Sequence, residues 1–376
     1  MKKKIYNYNV IVNLLRVLFF CIIVCTIYEF VKFINLSTYN IGILKALLIT
    51  FISSWIVILV HELGHCIAVI KHGYRIRSIH LPFIQICFIE KIKCFTNSFI
   101  FEGMVIPEIP LIRTKKDFDD VQVYIINMLL GGPLATALFA LFNFMIMRIL
   151  VLYYGKSLLL EFVVLVILFE SIFILYNCFR SSGSRNGDIK VVQKIEKSEF
   201  DFSIFLYEWM FYQPNYQYII NQSKYLKVLI KKRIKGLQIE KCDSFDDLSS
   251  TLYYSICGID TFFVSDLLEL LPQYMDILLN SADEIYNNIF YLEQMCYGIM
   301  LFELNKKHNI ADLYYKKMQL LEFNINDKKK DYILSQLDTI MNHSYKSFDY
   351  KNHPNYAFFK VFSNHLQCEQ TIFESY

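Results

Sequence analysis

Four runs of this chain are apolar over the length of about 20 residues that a helix needs to cross a bilayer, and they limit the fold more tightly than any other feature. They cover roughly Val10 to Phe33, Ile43 to Ile70, Val123 to Val151 and Leu158 to Phe179. Peptide groups in lipid find no water, so each run must close its own hydrogen bonds, as a helix does. Of the 376 residues 55% are hydrophobic and 16% aromatic, and mean hydropathy is +0.34, too apolar for a soluble chain of this length. The expectation is an all-α polytopic membrane protein with about four transmembrane helices. The first run follows "MKKK", but it is too long for a signal peptide and no small-residue cleavage site precedes "NLSTYN". It reads as a retained anchor.

Charge sets the expected orientation. The net charge is only +3, and no basic stripe with interleaved aromatics occurs, so a nucleic-acid partner is excluded. Lys71, Arg75, Arg77, Lys91, Lys93, Arg113, Lys115 and Lys116 crowd the connection between spans 2 and 3, whereas the 3–4 connection offers only Lys156. Arg180, Arg185 and Lys190 follow span 4. Under the positive-inside rule both termini and the 2–3 connection are cytoplasmic in an integral, multi-pass protein of the cell membrane. Arg16, Lys45 and Arg148 lie near helix ends and are expected to carry their charge to the interface along their long stems.

Between spans 2 and 3, "YRIRSIHLPFIQICFIEKIKCF" and "SFIFEGMVIPEIPLI" mix β-branched and aromatic residues in partial alternation, broken by Pro82, Gly103, Pro107 and Pro110. Short strands or a hairpin lying against the membrane are expected. From about Lys190 the composition favours helices, and "TFFVSDLLELL" and "IADLYYKKMQLLEF" carry apolar residues at helical spacing. The chain therefore divides into a membrane-embedded domain, 1–195, and an α-helical cytoplasmic C-terminal domain, 196–376. The helices around Asn305 to Asn309 resemble one tetratricopeptide-like hairpin, but no repeated period accompanies them and a plain bundle is preferred. His308, His343, His353 and His365 have no ligand spacing. Ten scattered cysteines, with no Cys-x-x-Cys pair, read as reduced, packed thiols.

Span 2 contains "HELGH", His61 to His65. Residues i and i+4 share a helix face, so His61 and His65 can direct both imidazoles at one metal ion with Glu62 alongside. Zn2+ suits two imidazoles and a carboxylate, leaves a fourth position for water and makes that water acidic; Glu62 is then the general base for attack on a peptide carbonyl. Two histidines held only by packing are the bland alternative, but ionisable residues inside a span are costly and functional by default. His61 lies about 15 Å along the helix from Lys71, in the cytoplasmic half of the span. Span 4 ends on that side, and "NCFRSSGSRNGDIKVV" follows with Asp188 as its one carboxylate. Asp188 is the candidate third ligand, with helix N-capping as its alternative role.

"HELGH" in an early span, "INMLLGGPLATALF" in a later one, and an Asn then an Asp after the next resemble the site-2 proteases, membrane-embedded zinc metalloproteases of intramembrane proteolysis. The resemblance covers about residues 40 to 190. It implies His61, His65 and Asp188 as zinc ligands, Glu62 as catalytic base, and Gly132, Pro133 and Asn177 as substrate-binding or site-lining residues. The pattern departs at its third piece: no proline follows Asn177, and glycine precedes Asp188 where the family has it after. Gly131, Gly132 and Pro133 also read as a packing notch and kink in a transmembrane helix.

The expected partners are the lipid bilayer, a membrane-anchored protein or hydrophobic peptide substrate, and a protein partner for the helical domain. An edge within Tyr74 to Ile109 is expected to hold the substrate extended. Two other readings stay open. One is the membrane metalloprotease class whose third ligand is a glutamate, with Glu161 and Glu170 as candidates. The other is a non-catalytic peptide-binding or immunity protein with a relict metal site.

Overall fold

The computed structural model describes residues 8–36, 42–88, 93–96, 103–155, 157–182, 185–211, 213, 216–236, 255, 262–280, 289–321, 323, 325 and 328–343. "MKKK", Lys91, Lys156, His353, His365, Cys242, Cys257 and Cys368 lie outside them. Its contacts divide the chain into two compact units, 1–108 with 119–197 and 109–118 with 198–376. The described residues are mostly helical.

Four helices are long and apolar enough to cross a membrane: α1 (Tyr8–Leu36), α2 (Ile43–Lys71), α3 (Lys115–Tyr154) and α4 (Leu158–Phe179). Leu47, Phe51, Phe142 and Phe173 stand exposed on their outer faces, an apolar surface that lipid accepts and water does not. The α1 and α4 helices run antiparallel along an aromatic ladder: Phe19 on Phe179, Phe30 on Phe169 and Phe33 on Phe162, with ring centroids 5.9, 6.3 and 5.8 Å apart. Where α2 crosses α3, Gly64 and Gly131 face each other, and a Cβ on either would run into the other's carbonyl oxygen. Glycine is required at both positions for so close a backbone approach.

Arg148 corrects one expectation. Its guanidinium does not snorkel to the helix end but pairs with the buried Glu29 of α1, beside the rings of Tyr28 and Phe144. Lys32 of α1 likewise pairs with Glu161 of α4 at 2.8 Å. Both charges find partners on neighbouring helices, which positions counted along a single span do not reveal.

A four-stranded antiparallel sheet follows α2, built from β1 (Ile76–Leu81), β2 (Ile84–Cys87), β3 (Lys93–Thr96) and β4 (Met104–Pro107) in the order β3-β2-β1-β4. Pro82 and Phe83 make the β1–β2 turn, with Phe83 in the left-handed region at φ 69°. This turn lies against α2: Trp55 donates its indole N–H to the Pro82 carbonyl at 3.4 Å, and the Phe51 and Phe83 rings are 6.1 Å apart. After α4 a short hairpin, β5 (Ser181–Ser182) and β6 (Arg185–Asn186), returns the chain to α5 (Asp188–Lys197).

The second unit contains α6 (Glu199–Phe211), α7 (Tyr216–Gln222), α8 (Lys224–Lys235), α9 (Val264–Asn280), α10 (Ile289–Leu304), α11 (His308–Gln319) and α12 (Lys328–Met341). Leu292, Met295, Cys296, Ile299 and Phe302 make α10 its central helix, packed by α9, α11 and α12. Residues 109–118 belong to this unit: Phe118 packs on Phe202 at 4.9 Å, and the Ile112 N–H donates to Ser223 Oγ at 3.3 Å. His308 and His343 both approach Glu303, at 2.7 and 3.5 Å.

Candidate metal centre

The helical spacing of "HELGH" places both imidazoles on one face of α2, with ring centroids 4.8 Å apart and planes at 85°. Their Nε2 atoms face each other at 3.2 Å. The other nitrogen of each ring is fixed from α3. His65 Nδ1 lies 2.7 Å from the Met128 carbonyl oxygen, which can only accept, so this nitrogen carries a proton and in the neutral ring Nε2 presents its lone pair. His61 Nδ1 lies 3.0 Å from Thr136 Oγ1, a hydroxyl that can accept in the same way. An imidazole held through one nitrogen with the other directed at a common point is the arrangement that orients metal ligands.

Asp188 comes to that point from the other end of the sequence. Its Oδ2 is 3.1 Å from His61 Nε2 and 3.5 Å from His65 Nε2. Gly187 makes the approach possible. Its N–H donates to the Arg180 carbonyl, and any Cβ there would strike the Asn177 carbonyl and the Cys178 backbone. This close return onto the end of α4 gives a physical reason for glycine before the aspartate. Asp188 is the first residue of α5, so its carboxylate also sits at a helix N-terminus, which favours negative charge. Burial alone would raise the carboxyl, but the His65 and His61 rings, protonated when no other cation lies between them and the carboxylate, prevail and hold it well below the usual carboxylate range.

Gly132 forms the opposite wall. A Cβ added there would overlap His65 Nε2 and lie 2.8 Å from His61 Nε2, so any side chain would fill the space the nitrogens face. Pro133, the next residue, is buried within α3 and has no N–H to offer the Leu129 carbonyl. Glu62 is 3% exposed, and its Oε2 has no hydrogen-bond partner among the described residues. One oxygen of Glu62 lies within 4.8 Å of a nitrogen from each histidine. Gly103, just before β4, lies so close to Glu62 that a Cβ would collide with its carboxylate.

Two imidazole nitrogens and a carboxylate converging on one point need a cation between them, either a proton on a ring nitrogen or a metal ion. An ion bound at about 2.0–2.1 Å holds tetrahedral ligand atoms about 3.3–3.4 Å apart, close to the spacings of 3.2, 3.1 and 3.5 Å found here. The residues therefore fit Zn2+, with His61, His65 and Asp188 as the donor set.

Asn177 is exposed at the end of α4, and its backbone carbonyl accepts from the Arg180 N–H at 3.1 Å. Its neighbour Cys178 is the residue turned toward Asp188, with Sγ 3.7 Å from Oδ2. Glu161 is engaged with Lys32 in the ion pair described above, and Glu170 is not grouped with the histidines among the described residues. Cys178, Thr136, Gly103 and the Met128 carbonyl were not expected at the site from the sequence. Thr136 carried a usable signal, since it stands one helical turn after Gly132 on the same face. Comparison with family models, curated protein sequences and solved structures yields no match to this chain.

Proposed function

We propose that the chain is a zinc-dependent intramembrane endopeptidase of site-2 protease type, which cuts a membrane-anchored protein or a hydrophobic peptide precursor. The convergence of His61, His65 and Asp188 beside a buried Glu62, within an apolar helix, carries this reading. Bound there, Zn2+ would supply Lewis acidity to a peptide carbonyl and acidity to a water molecule. Glu62 would accept a proton from the attacking water and deliver it to the amine that leaves. A buried carboxylate with one oxygen unpartnered suits this work better than a structural role, which would have satisfied it.

A substrate backbone must lie extended to present its carbonyl. Among the described residues β4 pairs only with β1 and forms one edge of the sheet, the side at which a substrate strand would add, and the chain just before it passes Glu62. Asn177 is a second group for substrate, exposed at the rim one residue before Cys178. In the proposed orientation both termini, the sheet and the second helical unit are cytoplasmic, which leaves that unit to receive a protein partner.

The test is Glu62→Gln. The variant should hold zinc as the wild type does while cleavage falls by about two to four orders of magnitude, the usual contribution of a general base. Comparing membrane peptides from cells carrying either form should reveal the substrate as a species that accumulates only with the variant. Full function from Glu62→Gln would sink the catalytic reading in favour of a binding protein. Asp188→Asn should lose zinc and Glu170→Gln should keep it; the reverse would place the chain in the glutamate-ligand class. Proline at Val105 or Ile106 of β4 should reduce cleavage without removing metal, and unchanged cleavage would rule out substrate pairing at that edge.

A further inference from the structure

Cys178, the last residue but one of α4, has its side chain turned inward, and only 5% of the residue is exposed. Its Sγ, one nitrogen of His61 and one oxygen of Asp188 all lie within 4.8 Å of one another. A tetrahedral ion with sulfur at about 2.3 Å and oxygen at about 2.0–2.2 Å holds those two atoms about 3.5–3.7 Å apart, and the observed separation is 3.7 Å. Asp188 Oδ2, the atom nearest the sulfur, also lies 3.1 Å from His61 Nε2 and 3.5 Å from His65 Nε2, so donor atoms from α2, α4 and α5 gather around it. Cys66, by contrast, sits next to His65 on α2 and belongs to neither donor group.

We propose that Cys178 is a fourth protein ligand of the metal, completing a closed two-histidine, aspartate and cysteine set in the resting protein. The proposal rests on reading this site as a metal centre and adds how that centre is regulated. Four protein ligands including sulfur are the hallmark of closed zinc sites, whereas hydrolytic sites keep one position open. Ligation releases the thiol proton to solvent and leaves a thiolate on the ion. Water would gain that position only when the sulfur leaves the ion and takes a proton back from solvent as a thiol, so the resting site is protected from idle hydrolysis until substrate binds. The competing account is a thiol that merely donates its S–H to the Asp188 carboxylate.

Full-length protein purified in detergent and reloaded with Co2+ separates the two accounts. A cobalt–thiolate bond gives an intense near-ultraviolet charge-transfer band, which imidazole and carboxylate ligands do not. The wild type should show the band, Cys178→Ser should bind Co2+ yet lose it, and Cys66→Ser should keep it. X-ray absorption of the zinc-loaded wild type needs no variant and should show a sulfur neighbour at about 2.3 Å. Stoichiometric metal without the band and without a sulfur neighbour overturns the proposal but leaves the metal centre standing. Absence of stoichiometric metal from the wild type overturns the centre itself, and the proposal with it.

Discussion

At the scale of single residues, the site depends as much on what is missing as on what binds. Gly132 has no side chain where a Cβ would meet both Nε2 atoms, and neither ring can retreat while Met128 and Thr136 hold their far nitrogens. Gly132→Ala should therefore abolish stoichiometric zinc. Alanine in a helix interior gains about 1 kcal/mol over glycine, and the cost of displacing the two rings opposes that gain, so a metal-free variant that still unfolds cooperatively separates loss of the site from misfolding. Zinc analysis with thermal unfolding in detergent checks both parts, and full metal content would show that the rings are more mobile than these contacts imply. His61, Glu62 and His65 were legible in the sequence because one helix carries all three at a spacing only a shared face explains. Cys178 was not, since its meaning comes from the β5–β6 return that brings it to Asp188, and spacing along the chain hides that return.

At the scale of elements, the spans were legible because every residue in lipid obeys one rule, whereas the sheet was legible only as strand-like composition. Its order depends on which segment pairs with β1, and β4 pairs there from across the β3 connection. That placement buries His80, 1% exposed, between Gln85 and Met104 in register, neither of which carries charge. Burial pushes His80 down to about 4 from an ordinary value of 6.5. Between those values the unfolded strand takes up a proton that the folded strand refuses, so sheet stability falls as pH drops from about 6.5 toward 4, at about 1.4 kcal/mol per pH unit. Hydrogen exchange of the β1 and β4 amides, corrected for intrinsic rates, should show protection lost across that window in the wild type and a flatter profile in His80→Gln. Equal profiles would mean that His80 is reached by water in solution.

At the scale of the whole molecule, the membrane helices hold two polar clusters at opposite ends of α4. Cys178 marks one end and Glu161 the other, 17 positions apart in sequence and so about 25 Å apart along the helix. The Glu161 end joins α1 to its neighbours through Lys32–Glu161 and Glu29–Arg148, and it contains no member of the metal cluster. Removing one partner of a buried pair leaves the other charge uncompensated, at a cost of about 3–5 kcal/mol, whereas replacing both with neutral groups of similar size is often close to neutral. Arg148→Met should therefore lower the melting temperature in detergent by several degrees, and Glu29→Gln with Arg148→Met should recover most of the loss. Sites this far apart without shared partners behave independently, so zinc content measured well below the melting transition should be unchanged in both variants. A fall in zinc in Arg148→Met that the double variant restores would instead couple the two ends through α3, which carries both Arg148 and Gly132.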